Sequence, residues 1–218
     1  MIINVHKSTL TAVGCSQMEV LFIRRRFPFA LQPLEDGLKY LGFQLKPSGY
    51  KIAYWIWLIS KVDKRLNTWY NRYLSWVGRL TLIKVVLEAT PVYWMTLAWI
   101  PRGILTRLQK ICSSFLWKGN KQGNLFAWVK WDTIARPKRW GGWGIKKLDL
   151  FSKALAAKLG WQLITSHSLW TKVAYEKYIS PENILDWIWR DQRVSGSQSI
   201  IWKAILTSLP LIRDGLTW

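Results

Sequence analysis

The spacing of apolar residues changes near Tyr50, and the change divides the chain into two kinds of structure. Before it, short apolar runs at residues 2–5, 20–23 and 40–45 alternate with turn-forming residues, a pattern that predicts strands. After it, apolar residues recur every three or four positions, which is typical of amphipathic helices. The pattern therefore predicts a mainly α-helical chain with a small β region at its amino-terminal end.

Three helices are predicted directly after Tyr50. The first has its apolar face over residues 52–69. The second begins at Ser75, a residue type that caps helices, and ends where Pro91 interrupts it. The third begins at Pro101, which the first helical turn tolerates, and ends near Gly119. Helices joined by such short connections predict a small bundle.

The remainder of the chain is predicted to continue with a short strand at residues 126–131 and a basic, glycine-rich loop at 136–144. A helix then begins at Asp149, followed by another over residues 169–178 and a last one from Trp202. The predicted apolar face of the Asp149 helix consists of Phe151, Leu155, Leu159 and Leu163.

The charge balance indicates a polyanionic partner. The 218 residues contain 32 Lys and Arg but 12 Asp and Glu, which gives a net charge of +20. This excess favours nucleic acid or an anionic membrane surface. The chain also contains 17 Trp, whose rings can fill a core or stack on bases, and packing is the commoner use.

Several other classes of protein are not indicated. Cys15 and Cys112 lie far apart with only His6 and His167 as co-ligands, so neither a disulfide framework nor a metal site is predicted. The longest charge-free stretch, residues 89–101, has about 13 residues, fewer than the roughly 20 of a membrane span. No secretion signal is recognised, and we expect an intracellular protein, nuclear or cytoplasmic.

Short motifs in a fixed order carry a resemblance to a known family. They are Asn-x-x-Lys-Ser at 4–8, Tyr-Leu-Gly-Phe at 40–43, Leu-Ser-Trp-Val-Gly-Arg-Leu-Thr-Leu-Ile-Lys at 74–84, Phe-Leu-Trp-Lys-Gly at 115–119 and Pro-Lys-Arg-Trp-Gly-Gly-Trp-Gly-Ile at 137–145. In this order they resemble the carboxy-terminal part of the reverse transcriptase of plant-type non-LTR retrotransposons, the long interspersed elements. The motifs span most of the chain.

The resemblance implies a domain organisation. Residues 1–47 would be a residual palm edge with the primer-grip hairpin, and 48–118 a helical thumb. Residues 119–165 would be a connection segment with the basic loop, and 166–218 the start of a further helical region. The primer grip itself would be formed by Tyr40, Leu41, Gly42 and Phe43, although an ordinary hairpin explains the same four residues.

The resemblance also implies that the catalytic part is missing. Residues 4–8 resemble the stretch just downstream of the catalytic turn, so the parent palm and its Mg²⁺ site would precede this chain. Two-metal chemistry needs clustered carboxylates, and no Asp-Asp or Asp-x-Asp occurs. The adjacent acids Glu35 and Asp36 are predicted to form a solvated turn. We therefore expect no enzymatic activity, cofactor or metal site in this chain.

The predicted partners are RNA and DNA, as an RNA:DNA primer-template, together with the missing palm. Two groups of cations are the candidate contacts: Lys61, Lys64, Arg65, Arg72, Arg79 and Lys84 on the helices, and Arg136, Lys138, Arg139, Lys146 and Lys147 around the glycine-rich loop. The alternative for the helix group is a solvated helix surface. Glycines in the loop would let backbone amides approach a phosphate, or would serve positive backbone φ angles.

Two other functions fit the same composition. The chain could be a stand-alone basic nucleic-acid-binding protein descended from such a fragment. It could also be a cationic amphipathic protein that binds anionic membrane surfaces through Trp-rich helices. The cluster Arg24-Arg25-Arg26 is predicted to be a surface group, with a small nucleic-acid patch or a nuclear-import run as alternatives.

Overall fold

The computed structural model describes residues 4–5, 8–40, 43–46, 50–70, 73–118, 126–195 and 198–216. The chain forms two compact units, Met1–Tyr50 and Lys51–Trp218. The structure confirms a mainly α-helical chain with a small β region. The predicted finer division of residues 48–218 stays a prediction.

The first unit contains two small pairs of strands. Strand β1 (Thr9–Leu10) pairs in parallel with β2 (Ala30–Leu31), and helix α1 (Gln17–Arg26) connects them. Strands β3 (Leu38–Tyr40) and β4 (Phe43–Leu45) form an antiparallel hairpin, which agrees with the strand signal at residues 40–45.

Helix α1 replaces the strand predicted at residues 20–23, so that prediction was wrong. Ser16 Oγ accepts the amide N–H of Glu19 at 3.4 Å, and the Glu19 carboxylate accepts the Ser16 amide at 2.7 Å. This capping box begins a helix, and the cationic run 24–26 lies at its carboxyl end, where it complements the helix dipole. An apolar run of four residues does not distinguish strand from helix by itself.

The second unit begins with a 3₁₀ turn, Ile52–Trp55, that continues into helix α2 (Ile56–Tyr70). The helical period predicted here is confirmed, but Ile52 and Ile56 are 63% and 52% exposed. The tighter 3₁₀ turn shifts the angular phase of the face, so Leu58 is buried in their place. Leu58 packs beside Ile59, Val62 and Leu66, which are all buried as well.

One long helical run follows, made of α3 (Trp76–Leu82), a π-helical turn (Ile83–Leu87) and α4 (Ala89–Leu97). The predicted cap is confirmed, because Ser75 Oγ accepts the Gly78 amide at 3.2 Å. By length and composition, the combined helix Trp76–Leu97 could cross a membrane, although 39% of its most apolar window is buried in the protein.

Pro91 does not end this run, and the predicted interruption there was wrong. Pro91 lies in the first turn of α4, where a missing amide N–H is tolerated. In the π-helical turn just before it, the Glu88 amide donates to the Ile83 carbonyl at 2.9 Å. The hydrogen-bonding register of the helix therefore changes before Pro91.

Helix α5 (Arg102–Lys118) begins as predicted, with the Pro101 carbonyl accepting the Ile104 amide at 2.9 Å. The strand predicted at residues 126–131 was wrong, since the described residues there form bends that enter a short helix, α6 (Trp131–Ile134). Phe126 and Trp128 are more than half exposed and contact each other edge to face, rather than pairing with a second strand.

The remaining helices form the last part of the second unit: α7 (Leu148–Thr165), α8 (Leu169–Tyr178), α9 (Ile184–Trp189) and α10 (Ile200–Leu216). All three helices predicted after residue 148 are present, and α7 packs along α10.

The face of α7 that is buried differs from the predicted one. Of the predicted face, Leu163 is buried as expected, whereas Phe151, Leu155 and Leu159 are half-buried. Ser152, Ala156 and Gly160 are buried instead. A Cβ on Gly160 would lie 2.4 Å from Ile212 Cδ1 of α10. Small residues therefore form this contact because they let the two helices approach closely.

Candidate nucleic-acid interface

The glycine-rich loop between α6 and α7 is closed by its own backbone hydrogen bonds. The Gly142 amide donates to the Pro137 carbonyl at 3.2 Å, and the Gly144 amide donates to the Arg136 carbonyl at 3.1 Å. Gly141 and Gly144 have φ angles of 77° and 70°. The amides of Gly142 and Gly144 are thus already used, and positive φ accounts for Gly141 and Gly144.

Gly142 has the most demanding position in this loop. A Cβ there would lie 2.0 Å from the Arg136 carbonyl oxygen, which is far inside van der Waals contact. The Trp143 amide next to it donates to the Ile134 carbonyl at 2.7 Å. The loop is therefore a tightly folded scaffold on which the neighbouring side chains are held.

The cations of this scaffold, here termed the loop cations, are Arg136, Lys138, Arg139, Lys146 and Lys147. Four of them are exposed, and the fifth, Lys147, is half-buried. Lys147 Nζ lies 3.0 Å from an oxygen of Asp132, whose side chain is itself 79% exposed. The structure thus brings the predicted loop residues together on one stretch of surface.

An apolar cleft of about 670 Å³, here termed the Trp140 cleft, opens beside the loop cations. Its polar border is formed by Arg136, Lys146 and Lys147. Trp140 is 63% exposed at the cleft, and the Arg139 guanidinium lies 4.7 Å from the centre of its ring. The apolar lining consists of Ala135, Pro137, Trp140, Leu150, Phe151 and Ala154.

The described cations of the helices, here termed the helix cations, are Lys61, Lys64, Arg65, Arg79 and Lys84. Two of them, Arg79 and Lys84, differ from the loop cations because they bind backbone carbonyls. The Arg79 guanidinium donates to the carbonyls of Leu74 and Leu116, at 3.2 and 3.1 Å. The Lys84 ammonium donates to the Trp143 carbonyl in the glycine-rich loop. Both side chains therefore cross-link the fold, a role that their positions in the sequence do not indicate.

The other helix cations are exposed. Lys64 lies on the outer side of α2, and the Lys61 ammonium is 5.7 Å from the centre of the Trp94 ring. Arg65 is exposed as well, although its guanidinium donates to the hydroxyl of buried Thr90. Arg72, predicted as a nucleic-acid contact, lies outside the described residues.

The predicted primer grip is described in part. Leu41 and Gly42, its turn residues, lie outside the described residues, while Tyr40 and Phe43 are paired as the last and first residues of β3 and β4. A hairpin is present, and its role stays a prediction. The acids Glu35 and Asp36 are exposed in a 3₁₀ turn that ends at Gly37, in agreement with the predicted solvated turn.

Glu88 is a buried carboxyl group that connects the long helical run to the loop. Its side chain is 4% exposed, and Oε1 accepts the Lys146 amide at 2.8 Å. Burial raises the pKa of Glu88 to about 7, although the hydrogen bond and the charges of Lys146 and Lys84 act in the opposite direction. A lone Glu at the start of an apolar helix carries no sequence signal for such a contact.

The tryptophans divide between packing and exposed surface. Trp55, Trp94, Trp187 and Trp202 are buried, which confirms core packing as a common use. Trp140 was not among the residues predicted to bind nucleic acid. Its position between Arg139 and two glycines is a sequence pattern that could have indicated an exposed ring.

The described residues contain no group of three or more His, Cys, Asp and Glu that could hold a metal ion. Both cysteines are free, Cys15 exposed and Cys112 buried. Burial raises the pKa of the Cys112 thiol to about 12, so this cysteine stays protonated.

The chain resembles a plant protein. It is 35% identical over 163 residues to the Arabidopsis thaliana "Putative ribonuclease H protein". The match covers 74% of this chain and 26% of the relative, so the chain corresponds to about a quarter of the relative's length. No model of a protein family matches the chain.

Proposed function

We propose that this chain is a template-primer-binding portion of a non-LTR retrotransposon reverse transcriptase, and that it binds RNA and DNA without catalysing DNA synthesis itself. The observation that carries the proposal is the cluster of loop cations, four of them exposed, on one hydrogen-bonded, glycine-rich scaffold. The order of the sequence motifs supports the reverse transcriptase origin. The ribonuclease H name of the relative supports a nucleic-acid partner.

Electrostatics favours phosphate as the group that the loop cations bind. The acids of the chain, 12 in all, are too few to neutralise 32 Lys and Arg. Of the loop cations, Lys147 has an acidic partner in Asp132, while Arg136, Lys138, Arg139 and Lys146 are exposed to solvent. Neutralising phosphates would release their condensed counterions, which is the main source of affinity in non-specific binding.

The parent enzyme would supply what this chain lacks under the proposal. A palm domain would bind Mg²⁺ and deoxynucleotides through clustered carboxylates. The hairpin formed by β3 and β4 would grip the primer. The helices of the second unit would contact the RNA:DNA duplex. The palm is then a partner of this chain within the longer protein.

Packing argues against membrane-surface binding through α2 or α5. A helix that lies on a membrane needs a free apolar face bordered by cations. The apolar faces of α2 and α5 are buried instead: Leu58, Val62, Leu108 and Phe115 are each at most 1% exposed. The stand-alone binder remains the second candidate, favoured by the same loop cations.

A salt titration with matched variants tests the proposal. One variant changes Arg136, Lys138, Arg139 and Lys146 to Gln, and the control changes Lys110, Lys153, Lys158 and Lys172 to Gln, all exposed positions. Binding of an RNA:DNA hybrid is measured by fluorescence anisotropy over a range of salt concentrations. We expect the first variant to lose affinity and to reduce the slope of log K against log salt by roughly 0.7–0.9 for each phosphate that it no longer neutralises.

The control variant has the same net charge, and we expect it to keep most of the affinity and slope. Equal losses in the two variants would show that only net charge matters and would exclude the loop as a specific binding surface. Tighter binding to phosphatidylserine vesicles than to the hybrid would favour the membrane alternative. DNA synthesis by this chain with Mg²⁺ would contradict its proposed lack of catalysis.

A further inference from the structure

The Trp140 cleft is more apolar than phosphate binding requires. The start of α7 supplies Leu150, Phe151 and Ala154 to the lining, and Ala135 and Pro137 add further apolar surface. Trp140 is exposed at this cleft although a large apolar ring gains stability from burial. Binding to phosphates alone would need the loop cations and no apolar cavity beside them.

The arrangement of charge around the cleft narrows the chemistry of its occupant. Arg136 and Lys146 border the apolar lining, and Arg139 covers part of the Trp140 ring at 4.7 Å. The Lys146 ammonium lies 5.3 Å from the centre of the Phe151 ring. A flat ring attached to an anionic group complements this combination, because the ring can pack on the aromatic side chains while the cations face the anion.

We infer that the Trp140 cleft receives an unpaired nucleobase of the bound strand, with Trp140 as the stacking platform and Arg136 and Lys146 facing the adjoining phosphates. The inference rests on the proposed function, which makes nucleic acid the partner. A base in a duplex has both faces covered by its neighbours, so only a single-stranded or flipped nucleotide can enter such a cleft.

The test compares two strands of equal charge. One is a single-stranded homopyrimidine oligonucleotide. The other is an abasic deoxyribose-phosphate strand of the same length, which keeps the phosphates and lacks the bases. We expect the unaltered chain to bind the base-bearing strand about tenfold more tightly, in the range of one base stacked on an aromatic side chain.

Variants of the cleft should remove this preference without changing the salt dependence. Trp140→Ala and Ala154→Phe, which fills the cleft from the exposed side of α7, should both bind the two strands alike. Trp140→Phe should keep part of the preference. Trp189→Ala, another exposed tryptophan, should keep all of it. Circular dichroism checks that each variant is folded.

The outcomes separate this inference from the proposed function. If Trp140→Ala and Ala154→Phe keep the preference for bases, the cleft does not receive one, even though hybrid binding through the loop cations stands. If the unaltered chain binds neither strand nor the hybrid, both proposals fail. Binding of poly-glutamate or of phosphatidylserine vesicles that depends equally on Trp140 would assign the cleft to another class of partner.

Discussion

Two of the helix cations, Arg79 and Lys84, have the same chemistry as the loop cations but different surroundings. Arg79 and Lys84 donate to backbone carbonyls inside the second unit, whereas Arg136, Arg139 and Lys146 are exposed around the Trp140 cleft. A basic residue on a helix can thus be a structural cross-link, and its charge alone does not identify a binding surface. The difference predicts which substitutions change stability and which change affinity.

The largest effect is expected from Gly142→Ala, which removes the scaffold of the loop cations. The new Cβ would lie 2.0 Å from the Arg136 carbonyl oxygen, so the loop must refold around it. We expect a loss of more than about 3 kcal/mol in the free energy of unfolding and weaker hybrid binding. Urea denaturation and anisotropy measure the two quantities.

Gly103→Ala is the matched control for that substitution. Nothing lies within 4 Å of a Cβ at Gly103, which is in the first turn of α5. We expect a gain of about 0.5–1 kcal/mol and unchanged affinity. A Gly142→Ala protein as stable as the unaltered one would contradict the tightly folded loop.

Arg79→Gln and Arg139→Gln compare an effect on stability with an effect on nucleic-acid binding. Loss of the Arg79 guanidinium leaves the Leu74 and Leu116 carbonyls without their donor, and we expect a cost of about 2–3 kcal/mol. Arg139→Gln should change stability by less than about 0.5 kcal/mol and weaken hybrid binding. The comparison breaks down if Arg79→Gln weakens binding at full stability.

Glu88 makes the connection between the long helical run and the loop dependent on pH. The pKa of Glu88 is raised to about 7 in the folded protein, against an ordinary value of 4.5. The folded state therefore keeps the Glu88 proton to a higher pH than the unfolded state does. The free energy of unfolding should therefore fall as pH rises from 4.5 to 7, by on the order of 2 kcal/mol.

Glu88→Gln keeps an oxygen that can accept the Lys146 amide but cannot ionise. We expect the variant to lose this part of the pH dependence and to be the more stable protein at pH 8, as measured by urea denaturation at a series of pH values. An unchanged pH profile in Glu88→Gln would assign the dependence to other groups.

The smallest effect is expected from Asp132→Asn, which frees Lys147 from its exposed partner. Surface ion pairs contribute little, so stability should change by less than about 0.5 kcal/mol. All five loop cations would then lack an acidic partner of this kind among the described residues, and hybrid affinity should rise about twofold at low salt. Lower affinity in the anisotropy assay would show that Asp132 positions Lys147 for binding.

Helical spacing after Tyr50 was sufficient to predict the longer helices α2, α5, α7, α8 and α10 of the second unit, but not the short helices α6 and α9. The residue types at Ser75 and Pro101 were sufficient to predict the starts of α3 and α5. The errors arose where a local signal was ambiguous or overridden. The apolar run 20–23 forms a helix because of a capping box upstream, and Pro91 is accommodated by a π-helical turn.

The site was predicted in part for related reasons. The loop cations adjoin glycines on the sequence, and the structure gathers them on one surface. The structural roles of Arg79 and Glu88 depend on partners 37 and 58 residues away, so no local pattern could indicate them. The cleft at Trp140 likewise needs the packing of α7 against the loop.

Photo-crosslinking of an RNA:DNA hybrid with a single-stranded overhang, followed by mass spectrometry of the crosslinked peptides, would locate the nucleic-acid interface on the chain. We expect crosslinks within residues 136–147, with Trp140 joined to the overhang, and none at Arg79 or Lys84. Crosslinks concentrated on the outer face of α2 or on α1, with residues 136–147 unmodified, would contradict the loop cations as the binding surface.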